Sequence, residues 1–135
     1  MTEPPVRIAR HKGITFDAGG LIALDRNDRR VIVLLARASE LRIRVIVPAT
    51  ALAQAVRNPS RQARLSRLIR QADTDIVPLD GFDATAAGLL LAETGTADIA
   101  DAHVVICARR WGPVVVTSDP GDIGKIGPEL RLVAV

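Results

Sequence analysis

Two acids dominate Gly95-Thr96-Ala97-Asp98-Ile99-Ala100-Asp101-Ala102-His103-Val104-Val105, a segment that opens with a helix-ending glycine. Thr96 is predicted to cap the helix that follows, which puts Asp98 and Asp101 three residues apart on one face of its first turns. No basic side chain lies between them, and the partial charge of a helix N-terminus offsets well under one unit. A bound cation would neutralise this pair more fully, although a solvated helix start explains either acid taken alone.

Composition limits the class of protein. The chain has 135 residues and is 48% hydrophobic but only 2% aromatic. Its core must therefore consist of Val, Ile, Leu and Ala, which is typical of parallel strands buried between helices. The length predicts one domain over residues 13–135, preceded by a flexible lead-in over residues 1–12.

The same sequence predicts a cytoplasmic protein. Cys107 is the only cysteine, so an intramolecular disulfide is excluded and a reducing compartment is expected. No apolar run approaches the roughly 20 residues of a membrane span. The first residues have neither a basic segment nor an apolar segment of the kind that a signal peptide requires.

Charge is divided between the two halves of the chain. Residues 26–70 contain eleven arginines and two acids, whereas residues 71–135 contain four basic residues and ten acids. This division suits a protein that binds a polyanion with its first half and a metal ion mainly with its second half.

Strand and helix patterns alternate along the chain. Strands are predicted over residues 13–16, 42–47, 75–79, 113–117 and 130–135. Helical segments are predicted over residues 21–24, 28–40, from Pro48, 61–71 with Ser60 as the cap, 83–94, 96–110 and briefly before Gly127. This alternation indicates an α/β fold with a mostly parallel central sheet of about five strands and helices on both faces.

The predicted topology brings four acids together. Asp17 ends the first strand and Asp119 ends the fourth, and ligands of open parallel sheets collect outside the carboxyl ends of the strands. The helix that begins near Asp98 and Asp101 starts above the same edge. Such a set of carboxylates favours Mg²⁺ or Mn²⁺, whereas one Cys and two His cannot form an ordinary zinc site.

These residues resemble a known family. An Asp after the first strand, a Gly-Thr-x-Asp-x-x-Asp-Ala helix start and Thr117-Ser118-Asp119-Pro120 after an apolar strand are similar to a PIN domain, and more narrowly to VapC-type ribonuclease toxins. The resemblance runs from about Ile14 to Val135. It implies a three-layer fold, RNA cleavage that depends on Mg²⁺ or Mn²⁺, and homodimers silenced by a cognate VapB-type antitoxin.

By position, the resemblance assigns Asp17, Asp101 and Asp119 as catalytic metal ligands. The family commonly has a Glu on the helix after the second strand, where this chain has Gln54. Either Asp98 supplies the missing carboxylate, which we favour, or the site binds metal weakly. Gln54 then becomes a candidate for the second shell of the site. Two further second-shell candidates follow the fourth strand: Thr117 and Ser118.

Several other residues carry weaker signals. Four arginines are candidates for an RNA-binding surface or a partner surface, and a solvated face is the alternative: Arg57, Arg61, Arg64 and Arg67. His103 and Cys107 are interpreted as structural residues, and Asp122 as a turn residue.

Two other functions remain open. A receiver-type signalling domain would use Asp17 as a metal ligand, Asp80 as the phosphoacceptor and Lys125 late in the chain. A catalytically silent PIN fold that only binds RNA or a partner is suggested by the uncharged Gln54.

Overall fold

The computed structural model describes residues 13–135, so the lead-in predicted over residues 1–12 lies outside the described residues. The elements follow in the order β1 Ile14–Phe16, α1 Ala18–Asp25, α2 Arg29–Glu40, β2 Val45–Pro48, α3 Ala49–Ala55, a 3-10 turn Pro59–Arg61, α4 Ala63–Ile69, β3 Thr74–Val77, α5 Gly81–Thr94, α6 Ile99–Arg110, β4 Val114–Thr117, α7 Pro120–Ile126 and β5 Arg131–Ala134. Within this part of the chain, no helix has both the length and the apolarity that crossing a bilayer requires.

The five strands form one sheet in the order β3-β2-β1-β4-β5, and every pair of neighbours is parallel. The predicted α/β class with five strands is therefore confirmed. All residues of β1 and β2 are buried, which requires helices on both faces of the sheet. The core is aliphatic apart from the fully buried Phe16, in agreement with the low aromatic content.

The strand order locates the binding crevice. β1 lies between β2 and β4, so the chain builds one side of the sheet with β2 and β3 and then crosses to the other side with β4 and β5. In open α/β sheets, ligands bind outside the carboxyl ends of the strands at such a switch point. Asp17 follows β1 and Asp119 follows the neighbouring β4, as predicted.

The same order contradicts the receiver-type alternative. Receiver domains have the order 2-1-3-4-5, in which the third strand is next to the first. Here β3 is an edge strand separated from β1 by β2. Asp80, the proposed phosphoacceptor, follows this edge strand and caps α5 through a bond from the Asp83 amide at 2.8 Å.

Some predicted boundaries are wrong. Asp98, not Thr96, is the cap of α6, and its side chain accepts a hydrogen bond from the third residue of the helix. The helix predicted over residues 61–71 is in fact two elements, the 3-10 turn and α4. Ser60 does not cap this helix, because its hydroxyl donates a hydrogen bond to Asn58 Oδ1. Arg42 has a positive φ of 56°, so β2 begins only at Val45.

Helix α6 lies at the centre of the molecule. Residues 102–108 are all buried, because the helix packs on β1 and β2 and also contacts α3, α5 and α7. Only its two ends reach the surface. The sheet and the surrounding helices therefore fix the position at which α6 presents its first turn, which carries Asp101.

Candidate functional site

Asp17 lies at the carboxyl end of β1, where it also caps α1. Its Oδ1 accepts a hydrogen bond from the Gly20 amide at 2.7 Å, and its Oδ2 accepts one from the Thr117 hydroxyl. Burial raises the pKa of the Asp17 carboxyl above its ordinary value, and the charge of Asp119 adds to the increase, whereas bonds from Thr117, Gly20 and the Ser118 backbone oppose it. This carboxyl is thus held firmly in one orientation.

Thr117 connects two of the predicted acids. Its buried hydroxyl donates to Asp17 and accepts a hydrogen bond from the Asp119 amide at 2.8 Å. Ser118 is exposed and packs so closely against α1 that a Cβ on Gly19 would lie 1.8 Å from its Oγ. Both candidates are adjacent to the acids, and their role in a second shell remains a prediction.

Asp98 and Asp101 lie at the start of α6. Asp98 is exposed and its Oδ1 accepts a hydrogen bond from the Asp101 amide at 2.9 Å, so it serves as the helix cap that the plainer interpretation anticipated. Asp101 is half-buried in the first turn of the helix. The two residues are therefore adjacent but differ in their surroundings.

The electrostatics of Asp101 indicate that the acids lie together. Burial is the main cause that raises the pKa of its carboxyl to about 7, followed by the charges of four carboxylates. These belong to Asp98, Asp17, Asp122 and Asp119. All four of these charges are negative, so they repel an ionised Asp101. We call these five residues the acid cluster.

Asp122 is the member of the acid cluster that the sequence analysis set aside as a turn residue. It lies in the first turn of α7, where its amide donates to Asp119 Oδ1 at 3.3 Å. The interaction of its side chain with the Asp119 side chain, followed by the charge of Asp119, raises the pKa of the Asp122 carboxyl. The spacing of Asp119 and Asp122 repeats that of Asp98 and Asp101, and this repetition was the signal that could have identified it.

The donor set of the acid cluster suits a hard divalent cation, because it consists of carboxylate oxygens. The side chains do not yet converge on one point: across residues 13–135, no group of three or more His, Cys, Asp or Glu side chains is arranged closely enough to hold an ion. Mg²⁺ commonly binds through one or two carboxylates and completes its shell with water and substrate phosphate, which such a spread arrangement permits.

Gln54 is exposed on α3 and faces the start of α6 across a groove of about 400 Å³. We call this the α3–α6 groove, and its lining residues are Thr50, Ala53, Gln54, Ala97, Asp98, Ile99 and Ala100. Within the described residues, the Gln54 amide makes no hydrogen bond to any member of the acid cluster. Its assignment to a second shell stays a prediction.

The four candidate arginines do not form one row. The Arg57 guanidinium donates to the carbonyls of Ala53 and Val56 at 3.1 and 2.8 Å and so satisfies the end of α3. Arg61 belongs to the 3-10 turn, whereas Arg64 and Arg67 are on α4. Because the turn interrupts the helix predicted over residues 61–71, Arg61 does not share a helix with Arg64 and Arg67.

Arg64 and Arg67 line a second groove, of about 500 Å³, between α2 and α4. We call it the α2–α4 groove. Its floor includes the apolar side chains Leu24, Leu35 and Leu68. An apolar floor beside two cations combines features that suit an amphipathic partner helix.

The sequence did not predict the ion pair between the buried Asp83 and Arg110. Asp83 is 3% exposed and pairs with Arg110, whose Nη2 lies 2.7 Å from Asp83 Oδ1.

His103 is fully buried, its Nδ1 lies 2.7 Å from the Thr50 hydroxyl, and burial lowers its pKa. Burial likewise raises the pKa of the Cys107 thiol to about 12, so both residues are structural, as interpreted from the sequence.

Comparisons with solved structures identify the fold. No protein-family model matches the sequence, and no curated protein is detectably similar to it. A chain of VapBC2 from Rickettsia felis, solved with a promoter DNA fragment, matches with a TM-score of 0.63 at 13% identity, over 90% of this chain and 98% of that one. A chain of FitAB bound to the IR36 DNA fragment matches with a TM-score of 0.60 at 15% identity, over 90% and 94%.

FitAcB from Neisseria gonorrhoeae is also similar, with a TM-score of 0.53 at 16% identity, over 88% of this chain and 95% of that one. The likeness thus spans nearly the whole length of both chains in each comparison, at low sequence identity. The chain therefore has the α/β fold of the PIN-domain toxins in VapBC and FitAB toxin–antitoxin complexes.

Proposed function

We propose that this chain is an endoribonuclease dependent on Mg²⁺ or Mn²⁺, and that it acts in the cytoplasm as the toxin of a VapBC-type pair. One observation carries the proposal: Asp101 lies half-buried at the switch point of the sheet, where burial and then the charges of Asp98, Asp17, Asp122 and Asp119 raise the pKa of its carboxyl to about 7. The arginine-rich segment over residues 26–70 favours a polyanionic substrate. The resemblance of the sequence to VapC-type ribonuclease toxins implies that this polyanion is RNA.

In this proposal Asp17, Asp101 and Asp119 hold the ion, and Asp98 stands in for the family's missing Glu. A bound ion supplies Lewis acidity at a phosphate oxygen and lowers the pKa of a water ligand. Thr117 keeps Asp17 and Asp119 in register through its two hydrogen bonds. Asp101 is held by the buried helix α6, and a cation bound beside it would lower its raised pKa and so release its proton.

Cleavage of labelled RNA tests the proposal. Asp17→Asn, Asp101→Asn and Asp119→Asn each remove an anionic ligand while keeping the shape, so cleavage with Mg²⁺ or Mn²⁺ should fall by orders of magnitude in a folded protein. Asp28→Asn is the matched control, because Asp28 caps α2 and is not among the groups that act on Asp101. Full cleavage in excess EDTA, or by Asp101→Asn, would end the metal-nuclease interpretation.

The role of Asp98 has its own test. If Asp98 replaces the missing Glu, Asp98→Asn should weaken Mn²⁺ binding measured by calorimetry, and a further Gln54→Glu should restore part of the affinity. The restoration is expected because Gln54 and Asp98 line the same groove. Unchanged affinity in Asp98→Asn would reduce that residue to the helix cap of α6.

We propose that the inhibitory partner is a VapB-type antitoxin. The structural neighbours are crystallised as VapBC and FitAB complexes, and the α2–α4 groove provides an apolar floor for a partner helix. An Arg or Lys of the same partner, placed near Asp17, Asp101 and Asp119, would offset the repulsion within the acid cluster. Replacing Leu35 with Glu should abolish copurification with the product of an adjacent gene and leave RNA cleavage unchanged.

A homodimer is proposed on the basis of α5. Phe82 is 76% exposed and Leu89 is 67% exposed, which is unusual for large apolar side chains on one helix. Leu89→Glu should reduce the mass measured by light scattering from that of a dimer to that of a monomer. A wild-type protein that is monomeric at micromolar concentration would contradict this part of the proposal.

The second candidate function is a silent PIN fold that binds RNA or a partner without cleaving. The uncharged Gln54 and the spread of the acid cluster favour it. It predicts RNA binding with no cleavage and no calorimetric signal for Mn²⁺.

A further inference from the structure

The α3–α6 groove is continuous with the acid cluster, because Asp98 belongs to both. Its volume of about 400 Å³ lies within the range of small-molecule sites. It opens between α3, which follows β2, and the first turn of α6. A substrate whose phosphate lies on the acid cluster would therefore bring its neighbouring chemical groups to this groove.

The lining excludes some ligands and favours others. Among the lining residues within 13–135, Asp98 alone is charged, so its carboxylate would repel a phosphate there. Three alanines and Ile99, which is 55% exposed, provide an apolar wall. Gln54 provides a neutral amide with both donors and an acceptor. A flat, uncharged group with hydrogen-bonding atoms on its edge matches this combination.

The hydrogen bonds of the lining identify the residue that is free to bind. The Thr50 hydroxyl is already paired with His103 Nδ1 at 2.7 Å. Asp98 Oδ1 is occupied by the Asp101 amide at 2.9 Å. Among residues 13–135, no hydrogen bond engages the amide of Gln54, and its side chain is exposed. The exposed amide of Gln54 is therefore the uncharged polar group of the groove that a ligand can reach.

We infer that the α3–α6 groove binds the nucleobase next to the scissile phosphate of single-stranded RNA, and that the Gln54 amide selects this base by hydrogen bonds to its edge. The inference rests on the proposed function and adds sequence preference to it. Unstacked bases of single-stranded RNA are available for such edge contacts. A Gln amide pairs bidentately with adenine, whereas a Glu carboxylate only accepts hydrogen bonds and pairs with the amino group of cytosine.

The experiment uses a pool of short single-stranded RNAs with randomised sequence and two readouts. Sequencing of cleaved ends in Mn²⁺ reports the base next to the cut, and sequencing of RNA retained by Asp101→Asn protein reports the base preference of binding without cleavage. Adenine should be enriched about tenfold at one position beside the cut. Gln54→Glu should move this preference toward cytosine, and Gln54→Leu should remove it.

The matched control is Gln71→Glu, the same chemical change in the α2–α4 groove, which should leave the preference unchanged. Cleavage without any base preference, or a preference unaltered in Gln54→Leu, overturns the inference and leaves the nuclease standing. Gln54 variants that change only the affinity for a copurified protein partner also overturn it. No cleavage but a Gln54-dependent preference in the retained pool overturns the nuclease and supports the groove.

Discussion

Asp101 makes the stability of the folded protein depend on pH. Its pKa is about 7 in the folded state against 3.8 for an ordinary Asp, so the folded protein keeps a proton that the unfolded chain releases. Stability contributed by this group is complete below about pH 4 and is lost as the pH rises through 7. Asp101→Asn should therefore melt a few degrees higher than the wild type at pH 8, with the difference vanishing near pH 4.

Circular dichroism at several pH values measures this difference. Asp28→Asn is the control, because an Asn at this cap still accepts the hydrogen bonds from the amides of Arg30 and Val31, so the melting temperature at pH 8 should change little. Mg²⁺ or Mn²⁺ should raise the melting temperature of the wild type at pH 8 and raise it less in Asp101→Asn. A wild-type melting temperature that metal ions do not change would count against the acid cluster as a metal site.

Thr117 is the single side chain that holds two acids in register. Thr117→Val keeps the shape but leaves the buried Asp17 carboxyl and the Asp119 amide without their partner. We expect a loss of about 1–3 kcal/mol in the free energy of unfolding, together with weaker Mn²⁺ binding. Thr85→Val is the matched control, since its exposed hydroxyl bonds only to the Gly81 carbonyl. Equal effects of the two substitutions on Mn²⁺ binding would refute a positioning role for Thr117.

At the scale of secondary structure, the first turn of α1 requires a glycine at position 19. A Cβ on Gly19 would lie 1.8 Å from the Ser118 Oγ and 2.5 Å from its Cβ. Gly19→Ala should therefore destabilise the protein by about 1–3 kcal/mol. Adding Ser118→Gly should recover much of this loss, because it removes both clashing atoms. Urea unfolding of the two single variants and the double variant measures the coupling.

Gly88→Ala is the control for this prediction. Gly88 is also within a helix, α5, but a Cβ there meets no atom within 4 Å. It should stabilise the protein by about 0.5–1 kcal/mol, because alanine restricts the unfolded chain more than glycine does. If Gly19→Ala were as stabilising as Gly88→Ala, the close packing of α1 on the loop after β4 would be wrong.

The helices and strands also show how much of the fold could be predicted from the sequence. Alternating patterns and apolar runs identified all five strands, because buried strands between helices have a local signature. Cap positions were less predictable, since Thr96 and Asp98 are both good caps and only the packing of α6 selects Asp98. The pair formed by Asp83 and Arg110 was missed, because its partners lie far apart in sequence and no local pattern relates them.

The sequence likewise predicted the positions of some acids of the candidate site but not their electrostatics. Asp17 and Asp119 could be located because the carboxyl ends of parallel strands share one edge. The high pKa of Asp101 could not, because it depends on burial and on charges from three other segments. The sequence also did not predict that the arginines lie on separate elements, because the 3-10 turn between them follows from local backbone geometry.

At the scale of the whole molecule, the arginine-rich half should govern the salt dependence of RNA binding. Replacing Arg64 and Arg67 with Ala should make the slope of log K against log salt shallower by roughly one to two units if both contact phosphates. Fluorescence anisotropy with Asp101→Asn protein and labelled RNA measures the slope. An unchanged slope, combined with lost binding of the protein partner, would assign both arginines to the α2–α4 groove.

The position of β1 in the middle of the sheet has a consequence for biosynthesis. β1 is the first strand described, yet one of its neighbours is β4, and the hydrogen bond between Asp17 and Thr117 spans 100 residues. At about 5–20 residues per second, a ribosome needs roughly 5–20 s to make that stretch. Until β4 emerges, the nascent chain has Asp17 without Thr117 or Asp119. A chain released before that point would therefore carry an incomplete acid cluster, and the proposed nuclease activity would require synthesis to continue past Asp122.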